Sequence, residues 1–152
     1  MTKIFLMIAI SIVFGAGVAL AQDYGAALKA RQGQMRLLAL NLGILGGMAK
    51  GERDYDAALA QAAADNIVAV AALNQLTAWP EGSDMGATEG TKAKTDIWTD
   101  FSGFQDKWRA LAPAAAKLQA AAGQGAGEIG AALGPVGGTC KGCHDTYRAP
   151  QS

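Results

Sequence analysis

Only one histidine, His144, and two cysteines, Cys140 and Cys143, occur in the 152 residues. With no second imidazole for proton transfer and no carboxylate pair at a recognisable spacing beside the first, general acid-base catalysis lacks its usual players. The chain is therefore expected not to be an enzyme. The same three residues rule against a zinc site, because they supply three ligands at unsuitable spacing and no others exist. Charge is also scarce: charged residues make up 17% and the formal net charge is +0, with no basic stripe or run of like charge. Nucleic acid and an anionic membrane surface are thereby excluded as expected partners. No run beyond the N-terminus is long and apolar enough to span a bilayer, and no segment alternates as a strand does. What remains is 51% hydrophobic and rich in Ala, the best helix former, which excludes a disordered chain and points to one small helical domain.

The N-terminus indicates export. Met1-Thr2-Lys3 is a short basic end, Ile4 to Phe14 is apolar, and Ala19-Leu20-Ala21 forms an A-x-A cleavage site. This is the pattern of a cleaved signal peptide over 1–21, followed by a mature domain over 22–152. A permanent anchor fits less well, since Gly15, Ala16 and Gly17 interrupt a run already too short to span. The mature protein is expected to be soluble and periplasmic.

The chain is organised around Gly137-Gly138-Thr139-Cys140-Lys141-Gly142-Cys143-His144-Asp145-Thr146-Tyr147-Arg148. C-x-x-C-H is the attachment motif of c-type haem. Two thiols three residues apart reach one edge of a flat macrocycle and form thioethers with its vinyl groups, and the following His is carried beneath the ring, where a nitrogen binds iron. A redox dithiol is expected in a βαβ context, which this chain lacks, and a disulfide between positions three apart in a helix would be badly strained.

Four helical stripes precede and include this motif. Leu28, Arg31, Met35, Leu38, Leu42 and Leu45 follow 3 and 4 spacing within a helix from about Tyr24 to Met48. A second helix is expected from an N-cap at Asp54, with Leu59, Ala63, Asn66, Val70 and Leu73 on one face. A Gly-punctuated loop covers Thr77 to Lys94. Ile97, Phe101, Phe104, Trp108, Leu111, Ala115 and Leu118 form the most aromatic stripe, with a kink expected at Pro113. Gly123, Gly125 and Gly127 are the next turn. Ile129, Leu133, Val136, Cys140, Cys143 and Tyr147 complete the set, with a bend expected within Gly134-Pro135-Val136-Gly137-Gly138. The fold expected is all-α, an antiparallel four-helix bundle holding one covalent haem c in its core near one end.

Arg31 is the one charge on its stripe. A buried guanidinium needs an anionic partner, which a haem propionate supplies; pairing with a carboxylate or snorkelling to solvent is the alternative. Phe104 and Trp98 read as core aromatics whether or not a cofactor is present.

The leader, Arg31-Gln32-x-x-Met35, Thr88-Glu89-Gly90, Ile97-Trp98 with Phe104, and Cys140 to Arg148 together resemble cytochrome c′ over essentially the whole mature chain. Ordinary small cytochromes c carry the motif near the N-terminus instead. Met48 to Glu52 with Tyr55-Asp56 is also similar to the low-spin relatives called cytochrome c-556. The resemblance implies a mono-haem protein, commonly a homodimer, that exchanges electrons with redox partner proteins or binds small gases such as NO and CO. It implies that Cys140 and Cys143 hold the haem, that His144 is the proximal ligand, and that Arg31, Gln32, Thr88, Glu89 and Arg148 lie near the haem or its propionates. Met35 is either a sixth ligand or a roof over an open distal site. Met48 lies about three and a half turns from Met35 along the helix, and Met85 lies in the loop.

Covalent attachment is directly testable. Haem stain should stay with the polypeptide in denaturing electrophoresis, and Cys140→Ser with Cys143→Ser should abolish it. His144→Ala should leave thioethers chemically possible while removing the strong axial ligand, so that normal proximal coordination in this variant would refute the assignment.

Overall fold

Residues 24–150 are described by the computed structural model; the leader expected at 1–21 lies outside them. Six helices form, α1 (Gly25–Ala49), α2 (Ala57–Ala71), α3 (Asp96–Thr99), α4 (Phe101–Arg109), α5 (Leu111–Ala122) and α6 (Ala126–Tyr147). Four of them make the bundle: α1 packs against α2 and α6, and α5 packs against the same two. Cross-links show that neighbours run antiparallel, since Gln34 meets Gln75 while Asn41 meets Asn66, and Trp108 meets Ala71 while Gln119 meets Asp65. Among the described residues no helix is long and apolar enough to cross a membrane, and extended pairing is confined to one isolated bridge between Ala93 and Arg148.

The buried face of α1 is Arg31, Gln34, Leu38, Asn41, Leu45 and Met48. This repeats every seven residues, as bundle helices do, but its second series is Gln34, Asn41 and Met48 rather than the expected Met35 and Leu42. Those two are half-buried beside the core. Burial of the amides is tolerated because they are satisfied: Gln34 and Gln75 exchange hydrogen bonds of 2.9 and 3.3 Å, and Asn41 donates to the Leu37 carbonyl while accepting from Asn66.

Helix α2 differs from expectation at its start and in its face. Its N-cap is Asp56, not Asp54: Asp56 is extended, with φ −128° and ψ 114°, and its carboxylate accepts the Leu59 N–H at 2.9 Å. The face turned inward is Ala60, Ala63, Ala64, Ile67, Val70 and Ala71. Leu59, Asn66 and Leu73 are exposed instead. Small side chains let α2 lie close to α1 and α5, and that close approach outweighs burying the two leucines.

The third leg is broken into three pieces. Pro113 has no N–H for the Arg109 carbonyl and its ring crowds that group, so the helix parts at Ala110 and resumes with Pro113 in the first turn of α5. A second break lies at Asp100, whose side chain caps α4 by accepting from the Gly103 N–H at 3.0 Å. A Cβ at Gly103 would come within 2.1 Å of that carboxylate. In contrast, α6 runs unbroken through Pro135 where a bend was expected. Ala131, whose carbonyl loses its partner to Pro135, and Pro135 itself are exposed, so the break in the hydrogen-bond ladder falls on a solvent-facing side of the helix, where it costs least. Gly127 lies within α6 rather than in the turn.

The main core joins α1, α2, α5 and α6 around Leu45, Ile67, Leu118, Ile129 and Val136, all fully buried. A smaller aromatic cluster of Ile97, Phe104 and Tyr147 with Trp79, Trp98 and Phe101 closes the end where the cysteines lie. Ile67 has 0% exposure and sits among the alanines of the α2 face, which are too short to move in and fill a gap. Ile67→Ala should lower unfolding free energy by about 3 kcal/mol, read as a shift in denaturant midpoint at unchanged slope.

Candidate haem site

At the aromatic end, α1 and α6 stand apart around a cleft of about 770 Å³, within the roughly 300–1,000 Å³ of ligand clefts. Its α6 wall carries Cys140, Cys143, His144 and Arg148; its α1 wall carries Arg31, Gln32 and Met35; Leu38, Leu42, Phe104, Trp108 and Leu111 line its depth. Residues more than a hundred positions apart are thus brought to one cavity.

The helical turn of α6 puts both thiols at one wall, half-buried, with neither in a disulfide. Burial pushes the Cys140 thiol up, against a smaller lowering from Thr139. Cys143 is pushed up by burial and then by Cys140, and Lys107 partly offsets this. Both are therefore neutral thiols, the form that adds across a vinyl group. Burial, followed by the Arg148 charge, lowers His144, while Asp145 acts in the opposite sense. Both lowering effects favour the neutral imidazole, the form that metal ligation requires. The donor set and the apolar walls fit a haem bound through two thioethers and one axial nitrogen.

Arg31 is 3% exposed and burial lowers it from its ordinary value. Its guanidinium donates to Ser83 Oγ at 2.8 Å, the Ser83 carbonyl at 2.6 Å and Thr91 Oγ1 at 2.9 Å, and lies 4.6 Å from the centre of the Trp79 ring. Every one of these partners is neutral, and among the described residues no carboxylate lies within ion-pair distance of it. Neither snorkelling nor a carboxylate pair describes it. Gln32 adds a bond from Nε2 to the Gly90 carbonyl at 2.7 Å. Together these two side chains fasten the loop between α2 and α3 over the cleft mouth.

Thr88 and Glu89 lie elsewhere: Thr88 Oγ1 donates to the Gly82 carbonyl at 3.2 Å, Glu89 is exposed, and neither lines the cleft. Their neighbours Gly90 and Thr91 do line it. Phe104 is 2% exposed and faces the cleft, whereas Trp98 stands behind it, donating its indole N–H to the Trp79 carbonyl at 3.1 Å. Met48 is buried in the core and Met85 is exposed in the loop, so Met35 alone of these three lines the cleft.

Two wall residues carry no site role in the sequence reading, Tyr147 standing there only as the end of the last stripe and Trp79 only in the loop. Tyr147, one turn beyond His144, is packed edge-on against Phe104 at 5.5 Å and donates to Asp100 Oδ2 at 2.8 Å. Burial and this bond push the phenol up to about 12, so it remains a neutral donor tying α6 to the start of α4. Trp79, which stacks under Arg31 and meets Phe104 edge-on at 4.8 Å, was read only as part of a loop. Its place beside Pro80 was the one available signal.

The family model described as Cytochrome C′ matches residues 26–148. A cytochrome c′ from Cereibacter sphaeroides is 45% identical over 130 residues, covering 86% of this chain and 87% of the relative. A solved cytochrome c′ from the organism given as Rhodobacter Spheriodes superposes with a TM-score of 0.80 at 43% identity, covering 86% of this chain and all of that one. A nitric oxide complex of a mutant cytochrome c prime from Alcaligenes xylosoxidans superposes at 0.71 with 34% identity, covering 85% and 98%. Family model, relatives, bundle and cleft agree: the chain belongs to the cytochrome c′ family and binds haem c covalently.

Proposed function

We propose that this is an exported, periplasmic mono-haem protein that carries electrons between redox partner proteins, with His144 as the proximal ligand of the iron. The observation that carries this reading is the placement of C-x-x-C-H at a cleft that opens to solvent, with His144 itself exposed. When bound, the haem supplies a one-electron couple; the chain's residues anchor it, neutralise it and control access to it. A carrier rather than an enzyme is favoured because no Asp or Glu lines the cleft and His144 is the only imidazole in the sequence.

Cys140 and Cys143 would form the thioethers, and the cations Arg31 and Arg148 would face the propionates. The buried guanidinium of Arg31, surrounded only by neutral acceptors, supports this role, because an unpaired buried charge is costly and a propionate relieves it. Thr88 and Glu89 would act through the loop they share with Gly90 and Thr91.

Gas binding at an open sixth position is the second reading. It is favoured by the wall of Met35, Leu38, Leu42 and Leu111, apolar and suited to a neutral diatomic, and by the nitric oxide complex solved for the mutant relative. A homodimer is proposed as well: Leu37, Leu40, Leu73 and Leu76, on α1 and just beyond α2, are 49%, 60%, 48% and 61% exposed, and they flank the paired amides that join those helices. Sedimentation should show a dimer that Leu40→Glu weakens.

Arg31→Leu should lower the reduction potential, since removing a nearby positive charge disfavours the reduced, less positive centre. Arg31→Lys, which keeps the charge, separates this effect from loss of the loop bonds. An unchanged potential in a haem-loaded Arg31→Leu protein would refute the propionate role. Met35→Ala discriminates the two readings of the distal side. With Met35 as a roof, the wild type is high-spin and the variant binds CO faster; with Met35 as a ligand, the wild type is low-spin and the variant becomes high-spin. We take the roof as the better reading. A low-spin spectrum surviving Met35→Ala would exclude both.

A further inference from the structure

The cleft wall carries five cations, Arg31, Arg36, Lys92, Lys107 and Arg148, and no carboxylate. In a chain with 13 cations and 13 carboxylates, this is a pronounced local asymmetry. Of the other described cations, four are matched, Lys50 with Glu52, Lys94 with Asp96, Arg109 with Asp106 and Lys141 with Asp145, while Lys29, Arg53 and Lys117 stand apart from one another without an ion pair. None of the five has an ion-pair partner among the described residues.

Arg36, Lys92 and Lys107 are exposed and come from three separate elements, α1, the loop and α4. They rim the cleft mouth, whereas Arg31 is buried and Arg148 half-buried. Two haem propionates leave positive charge in surplus, and the surplus lies on the outer ring. Three carboxylates that adjoin wall residues are engaged: Asp106, next to Lys107, with Arg109; Asp145, next to His144, with Lys141; and Asp100 with Tyr147. Glu89 is exposed in the loop but is not part of the wall.

From this arrangement we infer that the mouth of the haem cleft is the docking surface for a redox protein that presents a carboxylate-rich face. The inference rests on the electron-carrier reading. Opposite charges around the mouth would orient such a partner with its own redox centre toward the haem and raise the encounter rate. An anionic lipid surface is the weaker choice, because three exposed cations drawn from three separate elements fall short of the polybasic clusters and basic amphipathic helices that hold proteins to membranes.

Two measurements on the haem-loaded protein test it. In stopped flow, oxidation of the reduced protein by hexacyanoferrate(III) should slow roughly tenfold between low and physiological ionic strength. Oxidation by a cationic cobalt complex should show the opposite trend. Lys92→Glu and Lys107→Glu should flatten the hexacyanoferrate dependence, while Lys117→Glu on the far helix α5 should leave it as in the wild type. Equal effects at Lys107 and Lys117, or no dependence on ionic strength, would overturn the inference. Separately, immobilised poly-L-glutamate should retain the wild type and lose it on Lys107→Glu, a result that needs no electron transfer. Preference for phosphatidylcholine–phosphatidylglycerol vesicles over poly-glutamate would replace the protein partner with a membrane and overturn the assignment. Poly-glutamate retention without oxidation by either reagent would sink the electron-carrier reading, and with it a redox partner, while leaving the charged surface intact as a fact.

Discussion

The guanidinium of Arg31 sets the shape of the site. It is a cation taken out of water, and three hydrogen bonds with the face of Trp79 are what make its burial tolerable. All of those contacts are to the long connection between α2 and α3, so satisfying the charge forces that connection across the end of α1. The mouth of the cleft therefore has a defined edge at Gly90, Thr91 and Lys92. The same connection is held from the other side by backbone bonds from Lys94 N–H to the Tyr147 carbonyl and from Ala149 N–H to the Lys92 carbonyl. One loop thus ties the start of the first helix to the end of the last, and the haem-bearing turn is fixed relative to α1 through it.

Around that frame the aromatic residues form a second constraint. Trp79, Phe104 and Tyr147 meet edge to face in sequence, and Tyr147 ends in a hydrogen bond to the cap of α4. Along the broken third leg, Phe104 faces the cleft, Trp108 and Leu111 lie where the cleft meets the main core, and Leu118 is wholly within that core. Asp100 serves two ends at once, capping α4 and accepting from Tyr147, which both depress its carboxyl.

Much of this was legible in the residues. C-x-x-C-H is read directly because its chemistry is local, three side chains within five positions. The aromatic stripe from Ile97 to Leu118 and the stripe from Ile129 to Tyr147 have the buried faces expected of them, since their apolar residues are large and unambiguous. For the first two helices only part of the buried face is legible, Arg31, Leu38 and Leu45 on α1 and Ala63 and Val70 on α2, for a physical reason: Gln34 and Asn41 look like surface residues until their partners Gln75 and Asn66 are known, and a face rich in Ala has little hydrophobic contrast with its neighbours. Pro113 was seen, but its effect falls at the carbonyl four residues back. The cationic mouth was invisible, because Arg36, Lys92 and Lys107 come together only once α1, the loop and α4 are assembled.

The two amide pairs between α1 and α2 have a consequence for assembly. Gln34 with Gln75 and Asn41 with Asn66 act as keys along an interface whose α2 side is mostly alanine, a side chain that offers little resistance to axial sliding. Displacing α2 by one turn would leave an amide facing a methyl group, at a cost on the order of 1–3 kcal/mol for each unsatisfied polar group. The pairs thereby add a polar constraint on register to the packing of the larger side chains. Because α5 and α6 pack on α2 and α1, that register also bears on how far apart Met35 and His144 stand across the cleft.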